Sequence, residues 1–148
     1  MTKVLIVNVH SSENAGDFAL LQQTIHYLQL AFGNIEISVS SNWPNEKQLK
    51  DLGIRILPSP WRLLGVWNKD KKPRYQLISF FFSLIYFYIF KISIFLKIRP
   101  MIPENWYKLF MEFWESDMVV AVSGNQLFSS GKLGWPLPII GFPIYLSF

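Results

Sequence analysis

The stretch Val4-Leu5-Ile6-Val7-Asn8-Val9-His10-Ser11-Ser12-Glu13-Asn14-Ala15-Gly16-Asp17 decides how the chain is read. Residues 4–9 form a short, β-branched apolar run, the pattern of a strand covered on both faces. Residues 10–16 are polar, and Asn14-Ala15-Gly16-Asp17 is loop chemistry, with Asp17 placed to cap a helix. Over 18–32 the residues Leu20, Leu21, Thr24, Ile25, Leu28 and Phe32 fall on one stripe of an amphipathic helix, and Gly33-Asn34 ends it. The opening run is too short, and too early broken by Asn8, for the apolar region of a secretory signal.

The same alternation continues outward. Residues 35–39 alternate Ile, Glu, Ile, Ser, Val and predict a second strand. Pro44 suits the first turn of a helix through Leu52, stopped by Gly53, and 54–57 predicts a third strand. Strand–helix–strand repetition implies a parallel sheet with helices on its faces, an α/β Rossmann-like fold. Residues 58–73 read as irregular. A helix is predicted over 104–115 and a buried strand over 117–122, running into Ser123-Gly124-Asn125. Residues 139–148 end the chain on apolar side chains, so the expectation is one incomplete domain over 1–148 whose carboxyl-terminal partner domain is missing.

Composition narrows the function. Hydrophobic residues make up 51% and charged residues 16%, against about 25% charged in typical domains, which excludes a disordered chain. There is no cysteine, so disulfides, thiolate metal sites and a cysteine nucleophile are excluded. With only His10 and His26, no metal-ligand cluster is evident, and neither a metal nor a cofactor is expected. Charge is unevenly placed. Between Trp61 and Pro103 lie eight basic residues and one acidic residue, Asp70, while the remainder has six basic and nine acidic. Such asymmetry points to a localised anionic partner.

Residues 77–96 form an apolar run interrupted by one charge, Lys91. About 20 residues can cross a bilayer, but three features argue against a simple span. A single crossing would separate the 117–122 strand from the first strand. Basic residues flank both ends, not one. Ser79, Ser83, Tyr86, Ser93 and Lys97 share one helical face, with Phe81, Tyr88, Ile92 and Phe95 opposite. The preferred expectation, over 75–99, is a helix lying in the membrane interface. Phe81, Tyr88, Ile92 and Phe95 would enter lipid, and Lys71, Lys72, Arg74 and Arg99 would meet anionic headgroups. The alternative is a helix packed on the sheet, or against another subunit, by its serine stripe. Because the basic residues bracket a greasy helix and line no polar groove, nucleic acid is not expected.

Ligands of parallel sheets bind outside the carboxyl ends of strands. The candidate binding residues are therefore His10, Asn14, Gly16 and Asp17 after the first strand, and Ser123, Gly124 and Asn125 after the strand ending at Val122. No residue is assigned a catalytic role. Gly16 allows close backbone approach, and the helix amides after Asp17 suit an anion or a sugar hydroxyl. The same residues also read as an ordinary turn and cap. A dinucleotide site is disfavoured, since the first loop lacks Gly-x-Gly-x-x-Gly and no Walker motif occurs.

Asn14-Ala15-Gly16-Asp17-Phe18-Ala19-Leu20 directly after a first strand resembles the Asn-x-Gly-Asp-x-Ala-[Ile/Leu] signature of the polysaccharide pyruvyl transferase family. Ser116-Asp117-Met118-Val119-Val120-Ala121-Val122-Ser123-Gly124-Asn125 resembles that family's later strand and Gly-rich turn, although consecutive glycines are common where this chain has Ser123-Gly124-Asn125. The resemblance implies the amino-terminal half of a two-domain fold like that of GT-B glycosyltransferases, with the long apolar helix inserted. It further implies transfer of pyruvyl from phosphoenolpyruvate to a sugar of a cell-surface polysaccharide or its lipid-linked precursor, in exopolysaccharide biosynthesis. This chain would form the acceptor-side wall and be inactive alone, at the cytoplasmic, inner face of the membrane. The alternative is a non-catalytic membrane-associated α/β module.

Overall fold

The computed structural model describes residues 1–9, 11–64 and 73–122, with the backbone alone for 73–77. His10, Lys71, Lys72, Ser123, Gly124, Asn125 and the Arg74 side chain, all named above, lie outside the described residues. Strand β1 (Thr2–Val9) is followed by α1 (Ala15–Phe32), β2 (Ile35–Ser41), α2 (Lys47–Lys50), β3 (Arg55–Pro58), α3 (Pro60–Leu64), α4 (Pro73–Phe95), α5 (Glu104–Glu115) and β4 (Met118–Ala121).

The four strands form one sheet in the order β3-β2-β1-β4, and all three pairings are parallel. This is the α/β, Rossmann-like arrangement expected from the alternation of strand and helix. β1 is covered on both faces, which is why its apolar run is unbroken from Val4 to Val7. Successive β1 residues alternate between two cores. Ile6 and Val9 face Leu21 of α1 and Leu49 of α2, together with Ile37 and Val39. Leu5 and Val7 face Trp61, Leu64, Phe87, Phe90, Leu109, Phe110 and Phe113 on the other side. Leu5 and Ile6 are wholly buried, so the two-sided apolar run of the sequence corresponds to a two-sided core.

The helices depart from expectation in three places. Asn14, not Asp17, is the N-cap of α1, so the helix starts at Ala15. Both residues can accept from a helix amide, and the Asn14 side-chain Oδ1 accepts from the Gly16 amide at 3.1 Å. The packed stripe of α1 is the buried Leu21 with the half-buried Phe18, Ile25 and Leu28, whereas Leu20 and Phe32 are exposed. Helix α2 has one turn only, because residues 42–46 form a turn held to the β1–α1 loop. Pro44 therefore does not open it, while Gly53 at φ 66 ends that unit as the sequence suggests. Within the stretch read as irregular, Ser59 accepts the Arg62 amide at 3.1 Å and caps α3.

Helix α4 occupies the chain between β3 and β4. It packs through Ser83, Phe87, Phe90 and Ser93, all buried. Phe87 and Phe90 meet Phe110 of α5 at ring-centroid distances of 5.6 and 5.5 Å. The helix closes with a Schellman bond from the Ile98 amide to the Ser93 carbonyl at 3.0 Å, with Lys97 at φ 56.

Candidate functional site

The chain leaves β1 toward β2 and β3, then returns through α3–α5 to pair β4 on the other side of β1. The order reverses between β1 and β4. In open parallel sheets this switch point, at the carboxyl ends of the strands, is where ligands settle, because the loops leaving the two strands diverge and open a crevice. Val4 pairs with Met118 and Val7 with Ala121. The Val122 amide then donates to the Val7 carbonyl at 3.0 Å. The end of β4 thus stands beside the end of β1, the strand from which the first sequence-selected loop departs.

At this edge β1 is irregular. Its register against β2 shifts between Ile6 and Val9, and Asn8 sits at φ 65 while buried. A bulge of this kind re-aims the chain at a strand end. Asn tolerates the left-handed region better than other non-glycine residues, which accounts for a polar residue within an otherwise apolar strand.

The loop that follows is held from several directions. The Glu46 carboxylate, from the segment after β2, accepts from the Ser11 hydroxyl at 2.5 Å through Oε1. Through Oε2 it accepts from the Ser12 amide and hydroxyl, both at 2.5 Å. Burial opposes the charged form of Glu46, but the Ser11 and Ser12 hydroxyls and the Ser12 amide outweigh it and hold its carboxyl below the ordinary range. The Glu13 amide donates to the Ser11 hydroxyl at 3.0 Å. The Asn14 side-chain amide donates to Asp17 Oδ2 at 3.0 Å, which sets the direction of that carboxylate.

Next to this clamp lies a second polar group. The Asn42 amide donates to the Val9 carbonyl at 3.2 Å, and the Ser59 amide to the Ser41 carbonyl at 2.8 Å. The Ser59 hydroxyl donates to the Asn42 side-chain oxygen. The carboxyl ends of β1, β2 and β3 are therefore tied into one polar rim. Neither residues 8–20 nor residues 40–46 contain a Lys or Arg. Within residues 11–20 and 40–46 the rim offers amides, hydroxyls and carboxylates, a set suited to sugar hydroxyls.

The structure brings Asn14, Gly16 and Asp17 together at the start of α1. The sequence reading missed Glu46, Ser12, Asn42 and Ser59, because their meeting depends on β1, β2 and β3 being aligned. The one available signal was Asn8, a polar residue inside the first strand. His26 is exposed on α1, and no group of three or more His, Asp or Glu that could hold a metal occurs among the described residues.

No protein-family model, no curated protein sequence and no solved structure matches the chain. The resemblance to the polysaccharide pyruvyl transferases therefore rests on the two sequence motifs alone.

An open pocket of about 660 Å³ adjoins the β3 end of the polar rim, between Asn45, Lys50, Ile56, Pro58, Arg62 and Asn105. It is two strands away from the β1–β4 edge. Arg62, on its wall, stacks over the Trp43 ring at 5.1 Å.

Proposed function

We propose that this chain is the acceptor-side part of a transferase similar to the polysaccharide pyruvyl transferases, holding a sugar of a surface polysaccharide or its lipid-linked precursor at the β1–β4 edge. The observation that carries the reading is the parallel pairing of β1 with β4. It sets Val122, at the end of β4, beside Val7, near the end of the strand that leads to the Asn14–Asp17 turn.

The chemistry of the rim divides the labour. Asp17, oriented by Asn14, is a hydroxyl acceptor rather than an anion receptor. A donor with a phosphate and a carboxylate, such as phosphoenolpyruvate, needs arginine, lysine or histidine. Residues 11–20 and 40–46 supply none. On this reading the donor groups come from a second domain facing the edge, as in GT-B folds, and these residues alone position the acceptor without completing the reaction.

Saturation-transfer NMR on the full chain tests this, with hexose-terminated oligosaccharides and phosphoenolpyruvate offered separately. Transfer to the saccharide is expected, reduced at least fivefold in Asp17→Ala, with none to phosphoenolpyruvate. Transfer to phosphoenolpyruvate alone, or to neither, overturns it. The second reading, a non-catalytic membrane-associated module, is favoured by the exposed apolar face of α4 and predicts lipid binding with no saccharide signal.

A further inference from the structure

Helix α4 has two apolar faces, and the fold uses one. Ser83, Phe87, Phe90 and Ser93 are buried against the domain. Opposite them Ile78, Phe81, Phe82, Ile85, Tyr88, Ile92 and Phe95 are each about half exposed or more, and Phe95 is 84% exposed. Their spacing of three, one, three, three, four and three residues is that of a single helical stripe. It extends about 26 Å along the axis at 1.5 Å per residue. A surface of that size and composition is uncommon on a monomer in water.

The surrounding charge selects the occupant. From position 73 to 103 the sequence has four basic residues, Arg74, Lys91, Lys97 and Arg99, and no acidic one. Lys97 and Arg99 are exposed just beyond the helix, and Lys91 lies over the Phe87 ring at 5.0 Å. The first carboxylate beyond is Glu104, already paired with Arg99 at 3.0 Å and near Lys108 at 3.7 Å. Two copies meeting by this face would oppose like charges, whereas an anionic headgroup layer neutralises them.

We propose that this stripe seats on an anionic phospholipid surface, with the axis of α4 along the plane of the bilayer. Helix α4 is long and apolar enough to cross a membrane. A crossing would, however, draw Phe87 and Phe90 out of the core they share with Leu5, Val7 and Phe110. The lying orientation keeps that core and covers the other face. This surface is separate from the saccharide edge, so either proposal can fail alone.

Flotation of the full chain with phosphatidylcholine vesicles, with and without 30% phosphatidylglycerol, tests the proposal. The chain is expected to float with the anionic vesicles, to be released by alkaline carbonate, and to lose at least tenfold in bound fraction in Phe81→Glu/Tyr88→Glu. Leu30→Glu, on the exposed side of α1, is expected to bind as wild type does. Because the chain has no cysteine, an environment-sensitive dye on Tyr88→Cys gives an independent readout. Its emission should shift to the blue on vesicle addition, while the same dye on Asp51→Cys, on the opposite side of the sheet, should not. No flotation, retention after carbonate, loss with Leu30→Glu, or a dimer dissolved by Phe81→Glu/Tyr88→Glu overturns it.

Discussion

Lys3 and Asp117, 114 positions apart, bind each other twice: the Lys3 amide donates to Asp117 Oδ2 at 2.8 Å, and the Asp117 amide donates to the Lys3 carbonyl at 2.9 Å. The Lys3 ammonium also meets Glu115 at 2.9 Å. This knot at the amino end of β1 fixes the register of β4, and the register in turn places Val122 beside Val7 at the opposite end.

Asp117→Ala should loosen that register. One exposed hydrogen bond to a charged acceptor is lost, a cost of about 1 kcal/mol in denaturant unfolding. Hydrogen exchange should show β4 losing protection before β2 does. Asp117→Asn, which can still accept from the Lys3 amide, should fall between the two.

Glu46 should make stability depend on acid pH. Its folded carboxyl lies below its unfolded value, which is about 4.3. Its contribution is therefore present above that value and is lost as pH falls through the lower, folded one. Glu46→Gln should destabilise the protein at pH 7 by about 1–3 kcal/mol. The difference from wild type should shrink toward pH 3 in urea titrations, and a gap that does not change with pH would be the contrary result.

Asn14→Ala removes the α1 cap and should cost about 1 kcal/mol, with Asn14→Ser restoring most of it. Asn14→Asp should do less well than Ser, because it would turn the Asn14 donor into a second carboxylate facing Asp17 at 3.0 Å. Thermal melts of the three variants give the ranking.

Ser40 is fully buried, and its hydroxyl has no hydrogen-bond partner among the described residues. Ser40→Ala should raise stability by about 1 kcal/mol, since an unsatisfied buried hydroxyl carries a desolvation cost that the methyl group does not. A lower melting temperature would contradict this.

Phe90 and Phe95, five residues apart on α4, should behave oppositely. Phe90 is 1% exposed and packs on Phe110, so Phe90→Ala should cost about 3–5 kcal/mol. Phe95→Ala, at a site 84% exposed, should stay within about 0.5 kcal/mol in water. Calorimetry of both variants separates the packed face from the open one.

The alternation of apolar runs and helical stripes was enough to read β1, α1, β2, β3, α5 and β4 in order, and with them a parallel α/β sheet. Burial on both faces imposes that pattern locally. The two faces of α4 were also legible, because serines and aromatics fall at helical spacing. The cap of α1 was misplaced by three residues, since Asn14 and Asp17 are both competent acceptors and only the backbone path selects one. Helix α2 was read too long because Pro44 is compatible with a first turn, while Glu46, drawn toward Ser11 and Ser12, holds the chain in a turn instead.

By itself, then, the sequence determined which segments are strands and helices, because side-chain period and turn chemistry act over a few residues. Only the tertiary structure decided the register that sets Val7 beside Ala121, that Glu46 fastens the first loop, and that Phe87 and Phe90 are the aromatic residues α4 gives to the core. Those outcomes depend on residues tens of positions apart meeting across a sheet, and no local pattern encodes which distant partner satisfies a carboxylate or covers an apolar face.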